Sequence, residues 1–133
     1  MIEVKVGNSP KGAVVVVRDL QGLILMLKRA PSSYFAPSQW GFPGGKIELD
    51  ESPLEAAVRE TAEETELEVA NLQPLGIFNG AVEAYLSEEF KGAVKLDFEH
   101  TDWRWLTMEE ILEYDVAPSV SEILERVSEL DDE

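Results

Sequence analysis

The sequence predicts an α+β fold in which helices cover a mixed β-sheet. Three observations lead to this class. Two β-prone segments open the chain, a strongly polar helix with clear start signals lies in the middle, and further strand-like segments precede two short helices at the end. This order of strands, helix, strands and helices is typical of a sheet whose faces are covered by helices.

Composition limits the number of domains and the kinds of partner. The chain has 133 residues, which predicts one domain spanning residues 1–133. It has no cysteine, which excludes disulfides and thiolate metal sites and favours a cytoplasmic location. Its net charge of −16 disfavours nucleic-acid polymers and anionic membranes, but a small phosphorylated ligand bound through a divalent metal remains compatible with it. Residues 1–12 lack the layout of a secretory signal, and no apolar run is long enough to predict a membrane span.

The first strands are predicted from β-prone runs with turn residues between them. Residues 12–19 and 23–30 are rich in Val, Leu and Ile and are joined by a short Leu-Gln-Gly turn, so we expect a hairpin. The Pro-, Ser- and Gly-rich residues 31–45 predict a loop. Beyond the central helix, three segments are strand-like: 67–80, 81–90 and 95–107.

Two short helices are expected after the last strand. Thr107 and Glu110 fit a capping box, and so do Ser119 and Glu122.

Ser52 marks the start of the central helix. It is a suitable N-cap, Pro53 suits the first helical position, and Glu55 completes a capping box with Ser52. At about 100° per residue, one side of the helix is expected to face the core and consists of Leu54, Ala57, Val58 and Thr61.

A second side of this helix carries three carboxylates. Glu60, Glu63 and Glu64 lie at positions i, i+3 and i+4. Arg59 lies one turn from Glu63 and from Glu55, where it can hold a carboxylate in place. Hard oxygen ligands at this spacing suit an octahedral Mg²⁺ or Mn²⁺. The alternative is a solvated acidic face, on which each like-charge pair costs only about 0.2–0.5 kcal/mol.

Residues 45–67 combine glycine and charged residues at fixed spacing. Gly45 is followed after five residues by Glu51, seven residues later come Arg59 and Glu60, and Glu63 and Glu64 follow after two more. This pattern resembles the Nudix box, Gly-x5-Glu-x7-Arg-Glu-U-x-Glu-Glu-x-Gly-U with U apolar. The flanking segments QWGFPGGK and FEHTDWRWL are also similar to that family. The chain is identified on these motifs as a member of the Nudix family over most of its length.

Two positions depart from the box. Thr61 stands where the family has an aliphatic residue, and Glu66 stands where it has glycine. A glycine there ends the helix in a left-handed conformation, which costs other side chains about 1–2 kcal/mol. We therefore expect either that the helix ends differently, for example one turn later, or that Glu66 accepts the strain.

The resemblance implies an α/β/α sandwich with a mixed β-sheet, in which the catalytic helix follows a Gly-Gly loop. It further implies a hydrolase that uses Mg²⁺, or Mn²⁺ as a substitute, and an attacking water to cleave nucleoside diphosphates linked to another group. The metal ligands it implies are the Gly45 carbonyl, Glu60, Glu63, Glu64 and Glu99, of which Glu99 is either a ligand or the general base.

The remaining roles implied by the resemblance concern support and phosphate binding. Arg59 would orient the carboxylates, and Glu51 would support the loop by pairing with Arg59. Arg29 and Lys46 would contact the substrate phosphates. The alternative for Glu99 is that it is only a solvated residue at the end of a strand. The alternative for Arg29 is that it only pairs with a surface carboxylate. His100, the sole histidine, is interpreted as structural.

The substrate follows less directly from the sequence. A compact domain with short loops favours a nucleoside triphosphate pyrophosphohydrolase that releases a nucleoside monophosphate and pyrophosphate. The alternatives are a diadenosine polyphosphate, ADP-ribose or nucleotide-sugar hydrolase and a non-catalytic nucleotide-binding module, which the intact carboxylates disfavour. Val120 stands where members that hydrolyse oxidised guanine triphosphates have a base-reading asparagine. A homodimer is compatible with the resemblance, and four aromatic residues are candidates for stacking on the base: Tyr34, Phe35, Phe78 and Tyr85.

Overall fold

The structure is a computed structural model that describes residues 9–133, so most of the segment examined for a signal sequence lies outside the described residues. The strands are β1 (Gly12–Val17), β2 (Ile24–Arg29), β3 (Trp40–Gly41), β4 (Gly44–Lys46), β5 (Glu68–Ala70), β6 (Gln73–Phe78), β7 (Val82–Ser87), β8 (Glu89–Lys91) and β9 (His100–Leu106). The helices are α1 (Pro53–Thr65), α2 (Met108–Ile111) and α3 (Val120–Asp131). Within residues 9–133, no helix has the length and apolar character needed to cross a membrane.

The strands form one mixed sheet and two antiparallel sheets. The largest sheet has the order β4-β1-β7-β6, in which β1 runs parallel to β7 and antiparallel to β4. A second sheet has the order β3-β2-β9, and β5 pairs with β8. The mixed sheet agrees with the sequence prediction.

Strands β1 and β2 are buried on both faces, because helices cover both sides. Val15 and Val17 belong to a core cluster that includes Ala57 of α1, whereas Val16 belongs to a second cluster that includes Ile123 of α3. Successive strand side chains point to opposite faces, so this alternation places β1 between the two helices. The predicted α/β/α sandwich is confirmed.

The expected hairpin between the first two strands is wrong. The turn is present, since Asp19 Oδ1 accepts hydrogen bonds from the backbone N–H groups of Gln21 and Leu23 at 2.9 and 2.8 Å. However, the two segments are joined at the turn by the bridge between Arg18 and Ile24 and the bond from the Asp19 N–H to the Leu23 carbonyl at 2.9 Å, and β1 and β2 themselves enter different sheets. Strand β1 pairs with β4 and β7, and β2 pairs with β3 and β9. A local turn therefore does not decide which strands pair.

Residues 31–45 and 95–107 also differ in part from the prediction. The loop ends in two short strands, β3 and β4, and the last strand starts only at His100. Before it, Lys95 and Asp97 donate backbone hydrogen bonds to the carbonyls of Thr65 and Glu64 at 2.9 and 3.2 Å. These carbonyls lie in the last turn of α1, where helical partners are missing. The segment is therefore tied to the end of α1 instead of continuing β9.

Helix α1 begins as predicted and ends at Glu66. Both hydrogen bonds of the capping box between Ser52 and Glu55 are present, with Pro53 in the first turn. Glu66 adopts the left-handed conformation, with φ 63° and ψ 14°, and its N–H donates to the Ala62 carbonyl. Of the two outcomes considered, the strained one is observed.

The buried face of α1 differs from the predicted stripe. Leu54 and Val58 are 44% and 36% exposed, whereas Ala56, Ala57 and Thr61 are fully buried. Small side chains let the helix lie close to β1 and β4, which turns its longer apolar side chains outward. The same rotation brings Glu64, on the acidic side, into the interior.

One of the two closing capping boxes is correct. Thr107 and Glu110 cap α2 as predicted. Ser119 precedes α3 but makes no capping hydrogen bond, and its φ of 77° is left-handed. Its hydroxyl instead accepts a hydrogen bond from the side-chain amide of Asn79, so the predicted box with Glu122 is wrong.

Candidate active site

Arg59 is the centre of an ion-pair network on α1. Its Nε and Nη2 donate to the two Glu51 carboxylate oxygens at 2.7 and 3.0 Å. Its Nη1 donates to Glu60 Oε1 at 2.6 Å and to Glu63 Oε1 at 3.0 Å. Nη2 also donates to the Lys46 carbonyl at 3.0 Å. Arg59 thus ties the acidic face of the helix to the loop that precedes it.

The pair of Arg59 and Glu51 is charged on both sides. The hydrogen bond from Arg59, assisted by the backbone N–H of Glu48, lowers the pKa of Glu51 to about 2. The same pairing raises the pKa of Arg59. The guanidinium therefore stays positive beside Glu60 and Glu63 and offsets part of their repulsion.

Glu64 is a buried carboxyl group. It is 3% exposed, and its Oε1 accepts a hydrogen bond from the Gly44 N–H at 3.0 Å. Burial raises the pKa of Glu64 to about 9, against the opposing effect of the Gly44 bond and with the help of negative charge on Glu60, Asp97 and Glu99. Without a cation, Glu64 therefore holds a proton at neutral pH.

Two glycines let the backbone approach this face. A Cβ at Gly45 would lie 1.8 Å from Glu60 Oε2, and one at Gly44 would lie 2.2 Å from the Ala13 carbonyl oxygen of β1. Burial raises the pKa of Glu60, Arg59 opposes this shift, and the neighbouring Glu63 adds to it. Glu60 and Glu64 therefore pack against the two glycines of strand β4.

A crevice of about 310 Å³ gathers most of the residues predicted from the sequence. Glu63, Glu51 and Arg59 lie outside its lining, although Arg59 links all three glutamates at positions 51, 60 and 63. We call this space the acidic crevice, and its lining residues are Arg29, Gly44, Gly45, Lys46, Glu48, Glu60, Glu64 and Glu99.

Arg29 and Lys46 supply positive charge to the lining of the acidic crevice. The Nε of Arg29 donates to the Phe35 carbonyl at 2.6 Å, and its Nη2 donates to Ser33 Oγ at 2.9 Å. Its guanidinium also lies 5.6 Å from the centre of the Phe35 ring. The loop after β2 therefore holds Arg29 in place, and Lys46 extends the positive charge along β4.

Sequence reasoning missed Asp97 and treated His100 as structural. Asp97 Oδ1 lies 2.9 Å from His100 Nδ1, and ligand atoms of Glu64, Asp97 and His100 all lie within 4.8 Å of one another. Asp97 is two residues from Glu99, which was the available signal in the sequence. Asp97 also donates its backbone N–H to the Glu64 carbonyl at the end of α1, a contact that no local sequence pattern encodes.

A larger cavity of about 510 Å³ adjoins the acidic crevice. The two spaces share Arg29, Gly44, Gly45 and Lys46. The rest of the lining is mainly apolar and comes from β1, the segment before β4, the turn between β6 and β7, and the start of α3: Lys11, Gly12, Ala13, Val14, Phe35, Gly41, Phe42, Asn79, Ala81, Val82, Ala117, Pro118, Ser119, Val120 and Ile123. We call it the apolar cavity, and its size is that of a small-molecule site.

Asn79 and Ser119 form a polar pair in the apolar cavity. The Asn79 side-chain amide donates to Ser119 Oγ, and both residues have left-handed backbones, with φ of 54° and 77°. Among the four aromatic candidates, Phe35 lines the cavity. Tyr34 is fully exposed, Tyr85 is 5% exposed, and Phe78 packs against the core.

The side chains of the acidic crevice fit a divalent metal ion. The donors are carboxylates and a backbone carbonyl, which are the hard oxygen ligands that Mg²⁺ and Mn²⁺ prefer. Burial and mutual repulsion raise the pKa values of Glu60 and Glu64, so their negative charge is costly unless a cation is near. The close approach of Glu60 to Gly45 places this carboxylate against the backbone of β4.

The sequence matches the family model described as NUDIX domain over residues 8–127. The chain belongs to the Nudix family. It is a Nudix hydrolase, an enzyme that acts on derivatives of nucleoside diphosphates.

Relatives of this Nudix hydrolase differ in the substrates that their names give. The CTP pyrophosphohydrolase of Escherichia coli (strain K12) is 32% identical over 120 residues, which are 85% of this chain and 86% of that protein. The m7GpppN-mRNA hydrolase NUDT17 of Xenopus laevis is 36% identical over 78 residues, and this match covers 57% of this chain but 26% of that protein. The solution structure of the E. coli ORF135 protein has a TM-score of 0.73 at 30% identity and covers 96% of both chains.

Proposed function

We propose that this Nudix hydrolase is a metal-dependent nucleoside triphosphate pyrophosphohydrolase that releases a nucleoside monophosphate and pyrophosphate. The observation that carries the proposal is the junction of the acidic crevice with the apolar cavity at Arg29, Gly44, Gly45 and Lys46. A nucleotide fits with its phosphates in the crevice and its base in the cavity. The similarity to a CTP pyrophosphohydrolase over most of both chains supports a triphosphate substrate.

The metal ion is proposed to be Mg²⁺, with Mn²⁺ as a substitute. Its ligands would be the Gly45 carbonyl, Glu60, Glu63, Glu64 and Glu99. When bound, such an ion neutralises diphosphate charge and lowers the pKa of a coordinated water.

The side chains of the crevice have separate proposed tasks. Arg29 and Lys46 bind phosphate oxygens, and the bonds that hold Arg29 fix the direction of its guanidinium. Arg59 holds the carboxylates of Glu60 and Glu63 together by donating a hydrogen bond to each. The proton of the attacking water passes to a crevice carboxylate, either Glu99 or a glutamate of α1.

The base end of the substrate is assigned to the apolar cavity. Phe35 offers an aromatic face, and Asn79 and Ser119 offer an amide and a hydroxyl for the edge of the base. Ser119, rather than Val120, supplies the polar group at the start of α3. The net charge of −16 supports a free nucleotide in preference to a nucleic-acid polymer, and the lack of cysteine supports a cytoplasmic location. The single domain and the homodimer stay predictions.

A substrate screen tests the proposed function. Purified protein is incubated with Mg²⁺ or Mn²⁺ and with ribo- and deoxyribonucleoside triphosphates, oxidised triphosphates, ADP-ribose, diadenosine polyphosphates, nucleotide sugars and a capped RNA. Products are identified by chromatography, with Glu63→Gln as the control. We expect a nucleoside triphosphate to be hydrolysed to pyrophosphate and a nucleoside monophosphate. We expect the Glu63→Gln variant to lose this activity. Turnover confined to a different substrate class would overturn the proposal.

A further inference from the structure

We propose that Asp97 is a positioning residue that holds Glu99 in register with the carboxylates of α1 across the acidic crevice. The inference rests on the proposed function, because that function places Glu99 among the metal ligands. Asp97 lies on the segment between β8 and β9, outside the acidic crevice lining.

Asp97 touches both sides of the crevice through its own atoms. Its backbone N–H donates to the Glu64 carbonyl at 3.2 Å, which fixes it to the last turn of α1. Its carboxylate Oδ1 accepts a hydrogen bond from the Glu99 backbone N–H at 3.2 Å. An aspartate that binds the backbone N–H two residues later forms a tight turn. One residue therefore joins the helix to the turn that carries Glu99.

The turn around Glu99 is fixed by polar contacts. Phe98, the residue between Asp97 and Glu99, is 92% exposed, so its side chain does not hold the turn by apolar packing. The Glu99 carbonyl accepts a hydrogen bond from the Ala30 N–H at 2.9 Å, which anchors the far side of the residue to the end of β2. The Asp97 carboxylate anchors the near side.

His100 sets the orientation of the Asp97 carboxylate. The His100 side chain is 3% exposed, and its Nδ1 lies 2.9 Å from the same oxygen that caps Glu99. His100 also faces Arg29 at an irregularity in the ladder between β2 and β9. The buried ring thus gives Asp97 a rigid partner at the point where Arg29 and Glu99 enter the crevice.

Direct metal binding by Asp97 is the competing explanation, since Glu64, Asp97 and His100 have ligand atoms within 4.8 Å of one another. The two explanations differ in their dependence on Glu99. A positioning residue acts through Glu99 and loses its effect once Glu99 is altered, whereas a ligand acts on the ion in either background.

The test is a double-mutant cycle on Mn²⁺ affinity, measured by electron paramagnetic resonance with the metal alone. We expect Asp97→Ala to weaken Mn²⁺ binding at least fivefold in the wild-type background and less than twofold in a Glu99→Gln background. Asp97→Asn keeps an oxygen acceptor for Glu99 and His100, so it should stay within twofold of wild type. An equal loss from Asp97→Ala in both backgrounds, or no loss in either, would overturn the proposal.

Folding and function are separated by further readouts. Circular dichroism melting checks each variant, and Asp97→Leu, which also lacks an oxygen acceptor, replaces Asp97→Ala if the alanine variant does not fold. In triphosphate hydrolysis, the same cycle should show a loss of kcat with a smaller change in KM. If wild type hydrolyses no triphosphate, the proposed function fails, while the Mn²⁺ cycle still decides whether Asp97 positions Glu99.

Discussion

The acidic crevice and the apolar cavity meet at β4 but are built in different ways. Two of the four carboxylates that line the crevice, Glu60 and Glu64, come from one helix, at a spacing that the Nudix box fixes. The cavity is assembled from segments that lie far apart in the chain, including β1, the turn between β6 and β7 and the start of α3. The comparison teaches that the proposed metal site is encoded largely in one local motif, whereas the proposed base site depends on tertiary structure.

The largest expected effect is a loss of kcat when a carboxylate of the acidic crevice is replaced. This result would sharpen the contrast between the crevice and the apolar cavity. Glu64→Gln should lower kcat by about 10²–10³-fold, because a proposed ligand of the metal loses its charge. Nucleotide binding in the cavity should persist. Steady-state kinetics and calorimetry check this, with Glu125→Gln on the exposed side of α3 as the control. Retention of more than a tenth of the wild-type kcat would contradict the assignment of Glu64.

The next effect concerns pH and stability without metal. The pKa of Glu64 is about 9 in the folded chain and about 4.3 when unfolded, so the folded state holds an extra proton between these values. The stability that this proton contributes is complete below the pKa of Glu64 in the unfolded chain and is lost as the pH rises towards 9. Glu64→Gln should therefore match wild type near pH 5 and exceed it by on the order of 2–4 kcal/mol at pH 8.

Urea unfolding in chelator at several pH values measures this difference. Glu63→Gln removes a charge from the exposed part of the same helix and serves as the control. A Glu64→Gln variant less stable than wild type at pH 8 would mean that the carboxylate has a stabilising partner.

A matched pair of glycine substitutions compares the two regions directly. A Cβ at Gly45 displaces the Glu60 carboxylate, whereas a Cβ at Gly41 meets only the Ala117 Cβ at 3.7 Å, an ordinary contact. Gly45→Ala should lower Mn²⁺ affinity and kcat by about tenfold or more, since the geometry of metal ligands is strict. Gly41→Ala should leave Mn²⁺ affinity unchanged. Equal effects on metal binding would break the comparison.

The cavity should respond in KM more than in kcat. Asn79→Gly keeps the left-handed backbone but removes the amide that binds Ser119. We expect KM for the preferred triphosphate to rise about 3- to 10-fold, as for the loss of one hydrogen bond, with less discrimination between bases. Kinetics with four bases test this, and an unchanged base preference would remove Asn79 from the proposed base site.

The smallest effect lies at the end of α1. Glu66→Gly restores the glycine of the Nudix box at a position with φ 63°. The variant should be more stable by about 1 kcal/mol with unchanged kcat, because glycine accepts this conformation without strain. Thermal melting measures the gain. A loss of stability would show that the Glu66 side chain has a favourable role.

The same difference between local motifs and tertiary contacts explains which parts of the structure could be predicted from the sequence. The start of α1 was correct because the capping box is local, and the pairing of Arg59 with Glu51 follows from the box. The hairpin after β1 and the cap at Ser119 were wrong because distant strands and Asn79 compete for the same groups. Periodicity places Glu64 on the acidic side but cannot show that β4 buries it.

Nuclear magnetic resonance titration with a non-hydrolysable triphosphate and Mg²⁺ tests the central claim most directly. The claim is that one nucleotide occupies both spaces. We predict that the Gly44 backbone amide and the Asn79 side-chain amide shift together, with the same dissociation constant. Shifts confined to the crevice, with Asn79 and the rest of the cavity unaffected at saturation, would contradict the account.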